Sequence, residues 1–234
     1  TISYQNGVNH KLAITAPQKI FQWINISPRI SLTESWIYGH KEKIKNSSGV
    51  FIDKDGIDND EDESVDNEAP YNYFSDSFKR RLTGDISISL STKLYGIISA
   101  RILSLSAIRH VVTPSVTYSY RPDFYQSSIF GMDINYIDTD SEGNHHDYFS
   151  GSLVSATPNG ERKTYSFSLQ NDFHGKFYTN EVYQKMHLFS LNSNTSYNAT
   201  ADSLNWSYIS SSIRTNISNI FNIDLSLKHD LYAL

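Results

Sequence analysis

Apolar and polar residues alternate along several long segments of the chain. In the first of these, which starts at Ile24, the odd positions from Asn25 to Ser35 are polar and the even positions are apolar except for Glu34. The even positions are Ile24, Ile26, Pro28, Ile30, Leu32, Glu34, Trp36 and Tyr38. Successive side chains of a β-strand point to opposite faces of a sheet, so this pattern predicts a strand with one apolar and one polar face.

The same alternation returns further along the chain. The regular segments are 81–91, 108–121, 164–173 and 221–228, and less regular ones lie at about 8–16, 185–199 and 204–217. In the segment 108–121, His110 interrupts the apolar face and Val111 interrupts the polar face. Together with the first segment, these patterns predict about eight strands.

The predicted strands are long, and the connections between them differ in length. Most strands run for about 12–16 residues, whereas strands of soluble proteins centre on about 5–6 and a tilted membrane-spanning strand needs about 9–11. The predicted short connections are 17–21, 98–106, 175–184, 200–203 and 218–220. Outer-membrane barrels place short turns in the periplasm and longer loops outside. We therefore expect 39–76 and 123–160 to be extracellular loops, with 200–203 as an unusually tight outer loop.

Composition fits strands that have lipid on one side and water on the other. Hydrophobic residues make up 38% of the 234 residues, which is low for a soluble core, yet Tyr (16) and Phe (12) are too abundant for a disordered chain. No apolar run is long enough for a transmembrane helix. The net charge of −5 gives no basic footprint for nucleic acid, and the absence of cysteine excludes thiolate metal sites. The predicted fold class is all-β, with antiparallel transmembrane β-barrel strands.

An acidic segment in the first long loop carries candidate ligands for a cation. Carboxylate oxygens spaced closely around a glycine suit Ca²⁺, and here they surround Gly56. The candidate ligands are Asp53, Asp55, Asp58, Asp60 and Asp62. The spacing does not fit an EF-hand, because Phe51 would occupy the first ligand position. A solvated acidic loop without metal is the alternative interpretation, and no other cofactor is expected.

Other candidate chemistry is weaker. His145, His146 and Asp147 could bind a metal by composition, but we interpret them as part of a solvated polar loop. No nucleophile elbow and no phosphate-binding glycine loop occurs, so we expect no enzyme activity. Several cations fall on polar positions or at strand ends, where they would pair with acids such as Asp85 or Glu34, or attract anionic phosphates. These cations are Arg80, Arg81, Lys93, Arg109 and Arg121.

Three stretches resemble the LptD (OstA) family of outer-membrane lipopolysaccharide-assembly proteins, especially the type found in Bacteroidetes-like bacteria. They are 89–96, 108–123 and 196–206, and a weaker fourth lies at 167–171. The middle stretch is the most specific, because an Arg-His-x-x-x-Pro strand is followed by Tyr-Arg-Pro-Asp. Its motif residues are Arg109, His110, Pro114, Tyr120, Arg121, Pro122 and Asp123.

The resemblance implies a location, a function and partners. It implies a very large outer-membrane barrel that receives lipopolysaccharide from periplasmic bridge proteins, is plugged by a lipoprotein of the LptE kind, and inserts the lipid into the outer leaflet. Because Thr1–Tyr4 already has the character of a strand interior, we expect residues 1–234 to be part of such a barrel domain rather than all of it.

Two other functions remain open at this point. An uptake porin or receptor barrel would show the same alternation, and only the motif stretches argue against it. A soluble calcium-binding β-sandwich adhesin would account for the strands and the acidic segment. That adhesin would dissolve without detergent, whereas a barrel would need extraction from the membrane.

Overall fold

The computed structural model describes residues 5–43, 45, 48–51, 72–102, 104–179, 182–218 and 221–232. These residues form strands joined by turns and loops, which confirms the predicted all-β class. No helix in this part of the chain is long and apolar enough to cross a membrane.

Fourteen strands are present in the described residues. They are β1 (Asn6–Thr15), β2 (Gln18–Ile20), β3 (Ile24–Lys43), β4 (Asn72–Thr92), β5 (Leu94–Ile102), β6 (Leu105–Arg121), β7 (Ser128–Ile129), β8 (Met132–Asp133), β9 (Ile137–Thr139), β10 (His145–Asp147), β11 (Arg162–Thr179), β12 (Val182–Asn198), β13 (Ile209–Ser218) and β14 (Phe221–His229). Ten of them form one antiparallel sheet with the main order β1-β3-β4-β6-β11-β12-β13-β14. The eight strands on this path agree with the predicted number.

The strands run further than their alternation predicted. β3 continues to Lys43 and β4 begins at Asn72, so both enter the segment 39–76 that was predicted to be a loop. The predicted connection 98–106 is also wrong in its bounds. β5 pairs with β6 from Leu94↔Val112 onward, directly after β4 pairs with it up to Ser91↔Ser115. A strand keeps its backbone hydrogen bonds to the neighbouring strand even where its side chains no longer alternate between apolar and polar. Alternation alone therefore underestimates the length of the strand.

The predicted tight loop at 200–203 is a wider turn. β12 ends at Asn198 and β13 begins only at Ile209. In this turn the Asn205 side-chain amide donates to the carbonyl oxygens of Asn198 and Ala201, at 2.8 and 2.7 Å. The Asn198 side chain in turn accepts from the backbone N–H of Thr200, at 3.2 Å. Hydrogen bonds from side chains thus replace the backbone hydrogen bonds between strands here, as is common for Asn residues in turns.

The chain divides into two compact units. Unit 1 comprises Thr1–Ala13, Ser31–Asp85 and Pro122–Glu161, and unit 2 comprises Ile14–Ile30, Ile86–Arg121 and Arg162–Leu234. Unit 1 has a small apolar core formed by Ile37, Phe149 and Val154. Its segment 122–161, predicted to be a loop, contains two small hairpins, β7–β8 and β9–β10.

Gly84 of β4 is required by the close approach of β3 within unit 1. A Cβ at this position would collide with the backbone carbonyl oxygen of Ser31, which cannot move without shifting the strand. We expect Gly84→Ala to destabilise the folded protein by about 1–3 kcal/mol, as overpacking does. The measurement is urea unfolding of the full-length protein in detergent. Gly96→Ala is the matched control, because no atom lies within 4 Å of a Cβ there; equal stability of the two variants would contradict the expectation.

Candidate functional site

The apolar face of unit 2 is exposed. Eight aliphatic side chains on this face are 38–54% exposed, namely Ile86, Ile88, Leu90, Val116, Leu169, Ile223, Leu225 and Leu227. Among the described residues of unit 2, only one apolar side chain, Val111, is buried. A soluble sheet covers its apolar face with a second layer, whereas a membrane strand presents it to lipid. The exposed aliphatic face is therefore the one expected of strands in a bilayer.

The opposite face of unit 2 is lined with small polar side chains. One row crosses four strands, because Ser168 of β11 lies opposite Ser115 of β6 and Asn194 of β12, which lies opposite Ser210 of β13. On β4 and β6, Thr117 donates a hydrogen bond of 2.9 Å to Ser89. Such a face offers hydroxyl and amide groups that bind water or the hydroxyl groups of sugars.

Asp172, His187 and Ser190 form a hydrogen-bonded group on this polar face. Ser190 donates to the Asp172 carboxylate at 2.6 Å, and Gln170 donates to the other carboxylate oxygen at 2.9 Å. His187 Nε2 lies 2.9 Å from the same Ser190 hydroxyl. In a hydrolase the histidine takes the serine proton and the acid orients the histidine. Here the serine donates to the acid itself, so the order of the three groups differs from that of a hydrolase, and their oxygen and nitrogen atoms can hydrogen bond a polar ligand.

In unit 1, segment 122–161 is fastened to β4 through Arg81. This side chain is only 2% exposed, and it donates to Thr157 Oγ1 and to the Ser155 carbonyl, both at 2.8 Å. Its guanidinium also lies over the Phe149 ring, 4.3 Å from the centroid. A buried charge needs this many partners to offset the loss of its hydration. Arg81 therefore fixes the segment on the polar face of β4.

Asp147 completes this attachment from within the segment. Its carboxylate accepts from the backbone N–H groups of Phe149 and Thr157, at 3.0 and 2.7 Å, and from the Thr157 hydroxyl at 2.7 Å. Tyr136 also contacts β4, but at its backbone. The Tyr136 hydroxyl donates to the Leu82 carbonyl and accepts from the Leu82 N–H, both at 3.0 Å. The tyrosine thereby takes the place of a paired strand at that residue.

Asp140 organises the turn between β9 and β10. Its carboxylate accepts from the side chain of Asn144 at 2.9 Å and from the backbone N–H groups of Asn144, Phe51 and Glu142. Desolvation by burial acts to raise the pKa of Asp140, but these hydrogen bonds outweigh it and lower the pKa from 3.8 to about 2.

This lowered pKa makes the turn sensitive to acid. A carboxylate with a depressed folded pKa contributes stability that is present above its unfolded pKa and is lost as the pH falls through the folded value. We therefore expect amide protection at residues 140, 142 and 144 to fall between pH 4 and pH 2. Hydrogen exchange, corrected for the intrinsic rate at each pH, is the measurement. An Asp140→Asn variant that lost protection over the same pH range would contradict this account, because it cannot titrate there.

Comparison with models of known protein families shows to which family the chain is related. A family model described as LptD protein matches residues 2–232, which is nearly the whole sequence. The chain belongs to the LptD family. Neither the search of curated proteins nor the search of solved structures found a match. The LptD family is a non-enzymatic component of lipopolysaccharide assembly at the outer membrane.

The strand predicted to carry the family motif is β6, and the first residues of the predicted motif lie on both faces of this strand. The His110 ring stacks on Phe173 of β11, with centroids 4.1 Å apart, and its Nε2 lies 3.0 Å from the Asn171 side-chain oxygen. His110 therefore interrupts the apolar face while its nitrogen remains hydrogen bonded. Pro114 lies on the same face, opposite Leu169, and Arg109 lies on the polar face opposite His174.

The later residues of the predicted motif lead into segment 122–161. Tyr120 and Arg121 face Lys163 and Arg162 of β11. Directly after Pro122, the Asp123 carboxylate accepts from the backbone N–H of Tyr125 at 3.0 Å and from that of Gly160 at 2.9 Å. Asp123 thus binds the end of the segment to its beginning, so this motif residue closes the loop.

The sequence offered several residues as possible metal ligands, and the structure describes only some of them. Asp53, Asp55, Asp58, Asp60 and Asp62 lie outside the described residues. The interpretation of His145–Asp147 as a loop is wrong, because these residues form β10. His145 is exposed, as predicted, whereas Asp147 is 6% exposed and His146 Nε2 lies 2.8 Å from the Lys41 carbonyl oxygen. No group of three or more potential metal ligands occurs in the part of the chain that the structure describes.

The predicted cations differ in their partners. Arg80 pairs with Glu34, with Nε 2.9 Å from the carboxylate, as predicted. Arg81 has the buried partners of segment 122–161, which the sequence analysis missed. One signal could have indicated them: Asp side chains in polar segments often accept a hydrogen bond from the backbone two residues further on, as Asp147 does from Phe149.

Proposed function

We propose that this LptD-family chain forms part of the wall of a conduit that inserts lipopolysaccharide into the outer leaflet of the outer membrane. The observation that carries the proposal is the pair of opposite faces of unit 2. Its aliphatic side chains are exposed, as a bilayer requires, and its other face presents rows of hydroxyl and amide groups. Sugars and phosphates would follow the polar face while the acyl chains remain in lipid.

The proposal includes partners and a location. They are lipopolysaccharide, a plug lipoprotein of the LptE kind, periplasmic bridge proteins and the bacterial outer membrane. Family membership supports lipopolysaccharide handling and Lpt partners in general, and the particular partners are part of the proposal. Two finer predictions also rest on the resemblance: that the chain is of the Bacteroidetes-like type, and that it is one part of a larger barrel. Calcium binding by the acidic segment 53–62 likewise stays a prediction, tested by a shift of the melting temperature in millimolar Ca²⁺.

Depletion of the full-length protein in its own bacterium tests the proposal. We expect lipopolysaccharide at the cell surface to fall while lipopolysaccharide in the periplasm and inner membrane rises. The control is a strain in which the gene is expressed again from a second copy. Unchanged surface lipopolysaccharide together with loss of uptake of a nutrient would contradict the proposal and favour an uptake barrel instead.

A further inference from the structure

Basic side chains are grouped on the polar face of β6, β11 and β12. Arg109 lies opposite His174, and His174 lies opposite His187. Two residues further along β11, Lys176 lies opposite Lys185. Positions two apart on a strand share a face, so these side chains form two adjacent rows.

Apart from the 4.0 Å contact of His187 Nε2 with the Asp172 carboxylate, the acids among the described residues do not neutralise the positive charge of this group. Within the described part of the chain, Arg109, Lys176 and Lys185 form no ion pair. The acid on the same face of β11, Asp172, is bound by Ser190 and Gln170. Like charges directly opposite each other destabilise a sheet, so the pairing of Lys176 with Lys185 costs stability unless an anion lies between them.

The group surrounds a cavity of about 350 Å³. We call it the basic pocket; its lining includes Ile97, Arg109, His174, Lys176 and Lys185. The Ile97 side chain is 74% exposed and supplies an apolar wall.

Aromatic rings hold two of the cations at the pocket. The Arg109 guanidinium lies 5.0 Å from the centroid of the Tyr95 ring, and the Lys176 ammonium lies 3.9 Å from that of Tyr183. Cation–π contacts of this kind restrict a long side chain without removing its charge. The pocket is thus a positioned set of cations beside an apolar surface, which suits an anionic group on an amphiphile.

We propose that the basic pocket binds a phosphate group on the sugar headgroup of lipopolysaccharide as the lipid passes along the polar face. Arg and Lys are the side chains that proteins use for phosphate, through charge-assisted hydrogen bonds. The exposed Ile97 side chain beside them packs against the carbon atoms of the headgroup sugar, while the acyl chains remain in lipid. This inference rests on the proposed function and names the chemical group that the conduit recognises.

The test is a binding assay with the full-length protein in its complex with partner lipoprotein, solubilised in detergent. The probes are diphosphorylated lipid A, the same lipid A after removal of its phosphates, and inorganic phosphate. The double variant Lys176→Gln/Lys185→Gln removes two charges from the pocket. Lys228→Gln is the matched control, because Lys228 lies on β14 opposite Ser210, away from the pocket. Heat-modifiable gel mobility checks that each variant is folded.

We expect the double variant to bind diphosphorylated lipid A at least about tenfold more weakly, which corresponds to about 1.4 kcal/mol. Its affinity for the dephosphorylated lipid and the affinities of the Lys228→Gln control should be unchanged. Equal affinity of the double variant and the unaltered protein for diphosphorylated lipid A would overturn the inference. Tight binding of inorganic phosphate, with no preference for the lipid, would also overturn it and assign the pocket to free phosphate. A double variant that does not fold is replaced by Arg109→Gln, for which the same outcomes apply.

Failure of this inference can be told apart from failure of the proposed function. If the conduit proposal is wrong, depletion leaves surface lipopolysaccharide unchanged. If only the pocket assignment is wrong, depletion lowers surface lipopolysaccharide and the unaltered protein and the double variant bind diphosphorylated lipid A equally.

Discussion

Replacing Ile88 by Arg in the full-length protein will sharply reduce the amount of folded protein in the outer membrane. Ile88 lies on the aliphatic face of β4 and is 38% exposed, with Ile86 and Leu90 on either side of it on that face. An arginine on the lipid-facing side of an outer-membrane barrel costs about 2–4 kcal/mol at the bilayer midplane and less near the interfaces. The measurement is the fraction of heat-modifiable, folded protein in outer-membrane preparations.

The neighbouring residue provides the control for this substitution. Ser87 lies opposite Ser119 on the polar face, so Ser87→Arg adds the same charge and bulk to the side that we assign to water. We expect Ser87→Arg to assemble much better than Ile88→Arg. Equal losses for the two variants would mean that the two faces of β4 meet the same environment, and the assignment of lipid and water faces would be wrong.

Replacing Asp147 by Ala will release segment 122–161 from the strands of unit 1. The substitution leaves the buried N–H groups of Phe149 and Thr157 without their acceptor. Each unsatisfied buried group costs about 1–3 kcal/mol. Limited digestion with chymotrypsin measures the release, because the segment contains Tyr125, Phe130 and Tyr136 but no lysine or arginine. We expect cleavage within the segment to become much faster while the strands of the ten-stranded sheet remain intact.

Two variants separate this effect from a general loosening of the segment. Asp133→Ala changes an exposed acid of β8 in the same segment and should leave the digestion rate unchanged. Asp147→Asn keeps a carbonyl oxygen as acceptor and should show an intermediate rate. If Asp147→Ala were as resistant to chymotrypsin as Asp133→Ala, the buried carboxylate would not be what holds the segment in place.

The alternation of β4 was predictable because it arises within a single strand. From Phe78 to Leu90 the even positions are more exposed than the odd ones, as the period of two requires. The Arg81 and Thr83 side chains are the most covered, at 2% and 8% exposure, while apolar neighbours on the other face remain open. This burial of polar residues beside exposed aliphatic ones is the reverse of the burial pattern in a soluble sheet. The sequence could show which residues share a face because that depends only on local geometry.

The structure of segment 122–161 was not predictable in the same way. Its anchors join residues far apart in sequence, such as Arg81 with Thr157, and a polar segment rich in Ser, Asn and Asp has no period from which to infer them. Asp147 was therefore interpreted as solvated, although its contacts bury it. The turn after Asn198 was missed for a related reason, since amide side chains satisfy its backbone where a strand was expected to continue.

The basic pocket depends on the register between strands, which the alternation within one strand does not predict. The sequence placed Arg109 on the polar face, but it did not show that Lys176 and Lys185 would lie opposite each other beside it. Register between strands depends on the turns and on bulges, such as the shift between Phe173 and His174 where β11 pairs with β12. One residue of slip would move Lys185 to the other face.

The most direct test of the conduit is site-specific photo-crosslinking in living cells. A photoreactive amino acid is placed at Ser168 on the polar face or at Leu169 on the aliphatic face; both side chains are exposed. We predict that the Ser168 position crosslinks to lipopolysaccharide while export is active and stops when the supply is blocked. The Leu169 position should report resident lipid and be insensitive to the block. Absence of a supply-dependent lipopolysaccharide adduct at Ser168 in cells that are exporting the lipid would contradict the account.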